Sequence, residues 1–146
     1  MMTDVAIRLM REGAVVPTYG SADAAGADLY ACLDTPVTIE AGETVMIPTG
    51  VATAIPQGLV GLVYARSGLA SKRGLAPANK VGVIDSDYRG EIFVALHNHG
   101  TVAQVVEHGE RVAQLVLTPY VTATFQTVES LDDTVRGAGG FGSTGK

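Results

Sequence analysis

The chain has 146 residues, of which 47% are hydrophobic and 17% charged, and its formal net charge is -5. This length fits one domain with a real core, and the negative charge argues against nucleic-acid binding, which needs a broad basic surface. A single cysteine, Cys32, excludes an intramolecular disulfide and fits a reducing compartment. Since the sequence has neither a signal-like N-terminus nor a run of about 18 apolar residues, we expect a cytoplasmic protein without membrane contact.

Short runs of β-branched residues, separated by Gly, Pro, Asn or Asp, dominate the chain with a period of two. This pattern predicts an all-β fold, as a sandwich, a jelly roll or a barrel. The predicted strands are, in chain order, 5–10, 37–39, 44–47, 51–55, 59–64, 91–97, 111–117 and 122–128. Only the segment from Ser67 to Arg73 is suited to a short helix, which Gly74 would end.

Five stretches carry polar residues where strands alone would need none. They are 25–31, 65–70, 82–91, 109–115 and the tail 136–145. In the second stretch, Arg66, Ser67 and the amides of a starting helix could bind an anion, although Ser67 could equally be a plain N-cap. In the third, Asp85 follows an apolar run and is a candidate base that is buried or semi-buried, with turn capping as the alternative. In the fourth, Gln114 interrupts an apolar strand.

The tail from Arg136 to Gly145 is rich in glycine, so its ordering should need a ligand that compensates for the lost backbone freedom. Arg136 suits a phosphate, Phe141 a flat ring, and Ser143 with backbone N–H groups further phosphate oxygens. A nucleotide has both a flat ring and phosphates, so the tail predicts a nucleotide ligand. The alternative is that the tail is a disordered linker. The tail also matches a dinucleotide fingerprint and part of a P-loop, but without the structural context that either motif requires.

Taken in order, the five stretches closely resemble the five motifs of the homotrimeric dUTPases (deoxyuridine triphosphate nucleotidohydrolases). The most specific matches are ARSGLA at 65–70, GVIDSDYRG at 82–90 and the tail, and the resemblance runs from about Ile7 to Gly145. It implies a distorted jelly-roll domain over 1–129 and a mobile C-terminal arm over 130–146. It further implies a homotrimer in which each active site takes residues from all three chains.

The activity that the resemblance implies is hydrolysis of dUTP to dUMP and pyrophosphate. This reaction limits uracil incorporation into DNA and supplies dUMP for thymidylate synthesis. Asp85 would orient and deprotonate the attacking water and accept a hydrogen bond from the deoxyribose 3′-OH. Mg²⁺ would be held mainly by the substrate phosphates, and Asp28 would reach it only through water.

Further residues of the implied site hold the phosphates, the base and the sugar. The implied phosphate contacts are Arg66, Ser67, Gly68 and Gln114, joined by Arg136, Gly142 and Ser143 when the arm closes. Uracil would pair with Asn79 and with backbone groups of Val83, Ile84 and Asp85, and Phe141 would stack on it. Tyr88 would exclude a 2′-OH by its shape, and Phe93 would touch the pocket.

Two interpretations from other classes stay open at this point. A dCTP deaminase-like enzyme would share the fold and would need a catalytic glutamate near the third stretch, whereas a non-catalytic nucleotide-binding protein would need no base. His97 and His99 lie on one strand face but lack a third metal ligand at a suitable spacing, so we expect a trimer-axis or surface role.

Overall fold

The computed structural model describes residues 2–145, which form eleven strands and one short helix. The strands are β1 (Ala6–Leu9), β2 (Thr18–Tyr19), β3 (Ala27–Tyr30), β4 (Val37–Ile39), β5 (Thr44–Ala54), β6 (Leu59–Tyr64), β7 (Leu75–Pro77), β8 (Gly82–Ile84), β9 (Glu91–Asn98), β10 (Gln104–Val106) and β11 (Arg111–Pro119). The helix, α1, spans Ser67–Arg73. The predicted all-β class is confirmed.

Two antiparallel sheets enclose the core. One has four strands in the order β1-β5-β9-β7, the other has five in the order β2-β3-β11-β6-β8, and β10 pairs with β4 in a small third sheet. Fully buried apolar side chains from both sheets fill the space between them, among them Leu29, Ile47, Leu75, Leu96 and Val112. Within residues 2–145 the sheets do not close into a barrel. Of the predicted architectures, the chain therefore adopts a sandwich of the jelly-roll kind.

The helix and most of the longer strands follow the sequence pattern closely, but the two strands predicted over 44–47 and 51–55 are one strand, β5, with a register irregularity between Pro48 and Ala52. Gly74 ends α1 as predicted, in the left-handed conformation (φ 65°), and donates its N–H to Ala70 O at 3.1 Å. Five strands of two to four residues were not predicted, namely β2, β3, β7, β8 and β10, because a period of two cannot be established over so few residues. Among residues 2–145, no helix is long and apolar enough to cross a membrane.

The strand predicted over 122–128 is wrong for this chain. Tyr120 donates its N–H to Gly58 O at 3.2 Å, and from Val121 onward the chain runs in the open, with Val121 and Phe125 more than nine-tenths exposed. A strand needs a neighbour for its main-chain hydrogen bonds, and no described part of this chain supplies one. That 130–146 is a separate mobile arm beyond a 1–129 domain remains a prediction, and Met1 and Lys146 lie outside the described residues.

Asn98, between the two histidines, has a structural role. Its side chain is completely buried, and its Nδ2 donates to Ile39 O at 2.9 Å and to Val102 O at 2.8 Å, while its Oδ1 accepts from Gly100 N at 2.9 Å. The rings of His97 and His99 lie edge to face, with centroids 4.4 Å apart. Burial lowers the pKa of His99, and the neighbouring His97 and Lys80 lower it further, which favours the neutral form of this imidazole.

Thr53 in β5 carries the one buried side-chain oxygen of the described residues that has no hydrogen-bond partner. Thr53→Val removes this unpaired hydroxyl at nearly constant volume, so we expect the free energy of unfolding to rise by about 1 kcal/mol. Thr49→Val is the matched control, because the Thr49 hydroxyl is also buried but donates to Ile92 O at 2.6 Å. Urea unfolding should show the two variants shifting in opposite directions; a Thr53→Val variant less stable than the wild type would contradict the prediction.

Candidate active site

A cleft of about 310 Å³ opens beside β8 and the start of β9. Its size is at the lower end of the range for small-molecule sites. The sequence-predicted residues that line it are Asn79, Val83, Ile84, Asp85, Tyr88 and Phe93. The structure thus brings together the residues expected to contact base, sugar and attacking water. β8, at the edge of the five-stranded sheet, forms one side of this cleft.

Asp85 follows β8 and begins a turn that the main chain closes, because the Tyr88 N–H donates to the Asp85 carbonyl at 3.1 Å. Asp85 is exposed in this chain, so the expectation of a buried or semi-buried carboxylate is wrong here. Within residues 2–145 its carboxylate makes no hydrogen bond or ion pair, and the turn-capping alternative therefore has no support. A carboxylate held on a fixed turn without partners is free to accept a proton.

The Tyr88 ring lies across the same turn. Its hydroxyl donates to the Glu91 carbonyl at 2.8 Å, and a Cβ at Gly90 would come within 2.7 Å of Tyr88 Cζ. Gly90 is therefore needed for the ring to lie where it does. Since its hydroxyl is already bonded to the backbone, Tyr88 presents mainly the shape of its ring to the cleft.

A second group of predicted residues lies at the start of α1. The N-cap is Arg66, without a side-chain cap bond, and Ser67 is an exposed first helical residue, so the plain N-cap interpretation of Ser67 is wrong. Arg66 Nε donates to Asp28 Oδ1 at 2.8 Å, and Arg111 Nη1 donates to Asp28 Oδ2 at 3.4 Å. Asp28 is 7% exposed, and this buried carboxylate fixes the direction of the Arg66 guanidinium.

Gln114 belongs to the same group and fixes the turn before α1. Its Nε2 donates to Ala65 O at 2.8 Å, and its side chain fills the space where Gly26 has no Cβ. With this amide bonded inside the chain, Gln114 orients the turn that carries Arg66 and Ser67. Neither this group nor Asp28 lines the 310 Å³ cleft.

The predicted arm residues form a third group, apart from the other two. Phe141 is fully exposed, and its φ of 51° is unusual for a residue other than glycine. Arg136, Gly142 and Ser143 are exposed as well, and the backbone bonds of this stretch are local, such as Gly139 N–H to Arg136 O at 3.1 Å. Among the described residues, the arm forms no part of the cleft.

Sequence reasoning missed an ion pair next to the cleft. Arg11 donates from Nε and Nη2 to the two carboxylate oxygens of Glu91, at 2.5 and 3.1 Å, and its guanidinium carbon lies 5.9 Å from the centre of the Phe93 ring. The hydrogen bond to Glu91 raises the pKa of Arg11. The partners are 80 positions apart, so no local pattern could have paired them.

The side chains present fit Mg²⁺ only as an outer-shell ion. Residues 2–145 contain no group of three or more His, Cys, Asp or Glu side chains that could enclose a metal. Both oxygens of Asp28 face a guanidinium, at 2.8 Å from Arg66 and 3.4 Å from Arg111. An Mg²⁺ ion near Asp28 would therefore have its inner ligands supplied by other molecules, in line with its preference for retaining water and phosphate oxygens.

A β sandwich with a small cleft beside an exposed carboxylate, and an arginine-bearing turn elsewhere on its surface, has the features of a small-molecule enzyme. The dUTPase family model matches residues 12–145, and this chain belongs to the dUTPase family. It is 56% identical over 131 residues to a deoxyuridine 5′-triphosphate nucleotidohydrolase of Desulfitobacterium hafniense, with coverage of 89% of this chain and 87% of that protein.

Solved structures agree with this membership. The dUTPase of Staphylococcus bacteriophage 80alpha, determined with dUPNHPP, superposes with a TM-score of 0.90 at 29% identity, covering 99% of this chain and 100% of the other. A mutant dUTPase from phage phi11 of S. aureus, described for its coordination of a structural Mg(II) ion, gives 0.79 at 27% identity, covering 88% and 98%.

Proposed function

We propose that this chain hydrolyses dUTP to dUMP and pyrophosphate. Its membership of the dUTPase family and its relatives' activity support this reaction. The single observation that carries the proposal is the partner-free Asp85 carboxylate beside the cleft that Asn79, β8 and Tyr88 form. In a cell, the reaction limits uracil incorporation into DNA and supplies dUMP for thymidylate synthesis.

Asp85 acts as the general base. It takes a proton from a water molecule, whose oxygen forms a bond to the α-phosphorus as the bond from that phosphorus to the bridging oxygen breaks. The electron pair of the broken bond leaves with pyrophosphate. Because no side chain among residues 2–145 bonds to the Asp85 carboxylate, its lone pairs are available to the water and to the deoxyribose 3′-OH.

Base selection depends on β8 and the turn before it. Within residues 2–145, β8 pairs on one side only, with β6, so N–H and C=O groups of Val83 and its neighbours remain available to the polar edge of uracil. Asn79 lies beside Gly82, where a Cβ would make its tightest contact with Val63 Cβ, at 3.2 Å, so glycine allows β8 to lie close to β6 here. The Asn79 amide then completes the recognition of the base.

The phosphates bind to the turn that begins α1. Asp28 holds Arg66 at 2.8 Å and Gln114 holds Ala65 O at 2.8 Å, so the turn is fixed before the anion arrives. Ser67 and Gly68 are exposed beside Arg66 and can meet phosphate oxygens. Mg²⁺, when bound, would neutralise negative charge on the phosphates, and in this proposal Asp28 would contact its water shell.

Three copies of the chain form the complete site in this proposal. The cleft, the α1 turn and the arm are separate groups in one chain, and a closed trimer can bring one of each together. Val121, Phe125 and Val128 are exposed at 93%, 94% and 63%, which supports their packing on a neighbouring copy. We place the enzyme in the cytoplasm, as the free buried thiol of Cys32 suits a reducing compartment.

The structure disfavours a dCTP deaminase reaction. Such a reaction needs a catalytic glutamate, and Glu91 is the only carboxylate besides Asp85 that lines the described cleft. Both oxygens of Glu91 are bonded to Arg11, and its side chain is 8% exposed. A carboxylate engaged in this way is poorly placed to transfer protons to a base.

An assay of the purified protein with dUTP, dCTP, dTTP and UTP tests the proposed function. We expect pyrophosphate release from dUTP, far less from the other three, and no ammonia. Ammonia release from dCTP would instead support a deaminase, and binding of dUTP without pyrophosphate release would support a non-catalytic binding protein.

Tyr88 tests whether the sugar is selected by shape. Tyr88→Ala should reduce the preference for dUTP over UTP by more than about tenfold, because a 2′-OH then has room. Tyr88→Phe keeps the ring but loses the hydroxyl bond to the Glu91 carbonyl, so it should show a smaller loss of preference, of about tenfold. The measurement is kcat/KM for both substrates. If the alanine variant still rejects UTP as strongly as the wild type, a residue other than Tyr88 excludes the 2′-OH.

A further inference from the structure

The proposed reaction does not use the ion pair between Arg11 and Glu91, yet this pair borders the cleft. Arg11 forms a two-point bond with the Glu91 carboxylate, whose side chain is 8% exposed while that of Arg11 is 46% exposed. A buried carboxylate is costly without a partner. Arg11 is therefore the residue that allows Glu91 to remain in this position.

Glu91 connects the ion pair to the wall of the cleft. Its carbonyl accepts the hydrogen bond from the Tyr88 hydroxyl at 2.8 Å. It is also the first residue of β9 and follows Gly90, where the backbone is less constrained than in the middle of a strand. A shift of Glu91 would therefore move the acceptor that holds the Tyr88 ring in place.

Arg11 is itself held firmly. Its preceding residue, Met10, donates its N–H to Gly50 O at 2.6 Å, and the Arg11 carbonyl accepts from the Ala14 N–H at 3.2 Å. The guanidinium also lies 5.9 Å from the centre of the Phe93 ring, another residue of the cleft. The segment after β1 thus supports two side chains of the cleft without lining it.

We propose that Arg11 is a positioning residue for sugar selection, which holds Tyr88 through Glu91 in the position that excludes a 2′-OH. The inference rests on the proposed hydrolysis of dUTP. Without the guanidinium, the Glu91 carboxylate turns toward water, its backbone relaxes, and the Tyr88 ring loses its fixed position. Asp85 is untouched, so the chemical step should remain.

Arg11→Met tests this proposal, with Arg8→Met as the matched control. Arg8 is an exposed arginine of β1 whose side chain makes no hydrogen bond among the described residues. For Arg11→Met we expect kcat/KM for UTP relative to dUTP to rise about tenfold, mainly through a lower KM for UTP, with kcat for dUTP nearly unchanged. Arg11→Lys keeps the charge but not the two-point bond, so its ratio of kcat/KM for UTP to that for dUTP should lie between those of the wild type and Arg11→Met.

Binding of dUMP and UMP, measured by calorimetry, gives a readout that does not depend on chemistry. The two ligands differ only in the 2′-OH, and Arg11→Met should reduce the preference for dUMP, whereas Arg8→Met should not. Glu91→Gln should shift this preference in the same direction, and its effect should not add to that of Arg11→Met if both act through one contact. Glu91→Gln also decides the matter if Arg11→Met fails to fold.

The outcomes separate this inference from the proposed function. If the wild type hydrolyses dUTP and rejects UTP, but Arg11→Met and Glu91→Gln discriminate equally well, the positioning role is overturned and the function stands. An equal change of sugar preference in Arg8→Met would also overturn the positioning role, since the loss of one positive charge would then explain the change. If the wild type does not hydrolyse dUTP, the proposed function fails and the inference fails with it.

Discussion

Asp85→Asn is expected to lower kcat for dUTP hydrolysis by roughly 10²–10⁴-fold, the usual contribution of a general base. The amide keeps the size of the side chain and most of its hydrogen bonding but cannot accept the proton of the attacking water. Binding of a non-hydrolysable dUTP analogue, measured by calorimetry, should change little, because the loss concerns the transition state.

Asp87→Asn is the matched control for this experiment. It removes the same charge two residues further along the same turn, from an exposed carboxylate that makes no hydrogen bond among the described residues. We expect Asp87→Asn to turn over dUTP at close to the wild-type rate. Near-normal turnover in Asp85→Asn, or an equal loss in both variants, would remove Asp85 from the role of base.

The second large effect concerns the arm. A chain truncated after Val135 should lose most of its activity, because Arg136, Phe141 and Ser143 are then absent from the site. The proposed trimer predicts more than this loss, since it assigns Asp85 and the arm of any one site to different chains. The truncated chain and full-length Asp85→Asn should each be nearly inactive alone, yet partly active after being unfolded together and refolded as an equal mixture.

The expected recovery can be calculated. A working site needs Asp85 from a truncated chain and an arm from a substituted chain, each with a probability of about one half, so roughly a quarter of the sites should recover in closed trimers. A mixture of full-length and truncated chains that both carry Asp85→Asn is the control and should stay inactive. Activity no greater than the sum of the two parents, in mixtures shown to contain mixed trimers, would contradict the shared site.

The sequence predicted much of the fold because its long strands are regular. The alternation in β9 and β11 is long enough to be recognised, and Gly74 is a strong helix-end signal. The segment 122–128 has the same alternation, but a pattern says only that a strand is possible. Whether one forms depends on a neighbouring edge, and the described chain offers none to this segment.

For the candidate site, the sequence predicted which residues close to one another along the chain lie together, but it did not predict contacts between residues far apart along the chain. Asn79, Asp85 and Tyr88 are close in sequence, and the structure brings them into one cleft. The bond between Arg66 and Asp28 joins residues 38 positions apart, and that between Arg11 and Glu91 joins residues 80 positions apart. Such pairs depend on how the sheets stack, which no short-range pattern encodes, so the engagement of Asp28 by two arginines was not foreseen.

The position of β8 at the edge of its sheet has a consequence for how the proposed specificity could evolve. An edge strand presents main-chain donors and acceptors in a fixed order, and uracil would occupy the place that a further strand would otherwise take. Exchanging the exposed Val83 side chain leaves that order unchanged. Point mutations should therefore alter affinity more readily than base preference, and a change of preferred base should require an insertion or deletion that shifts the register of β8.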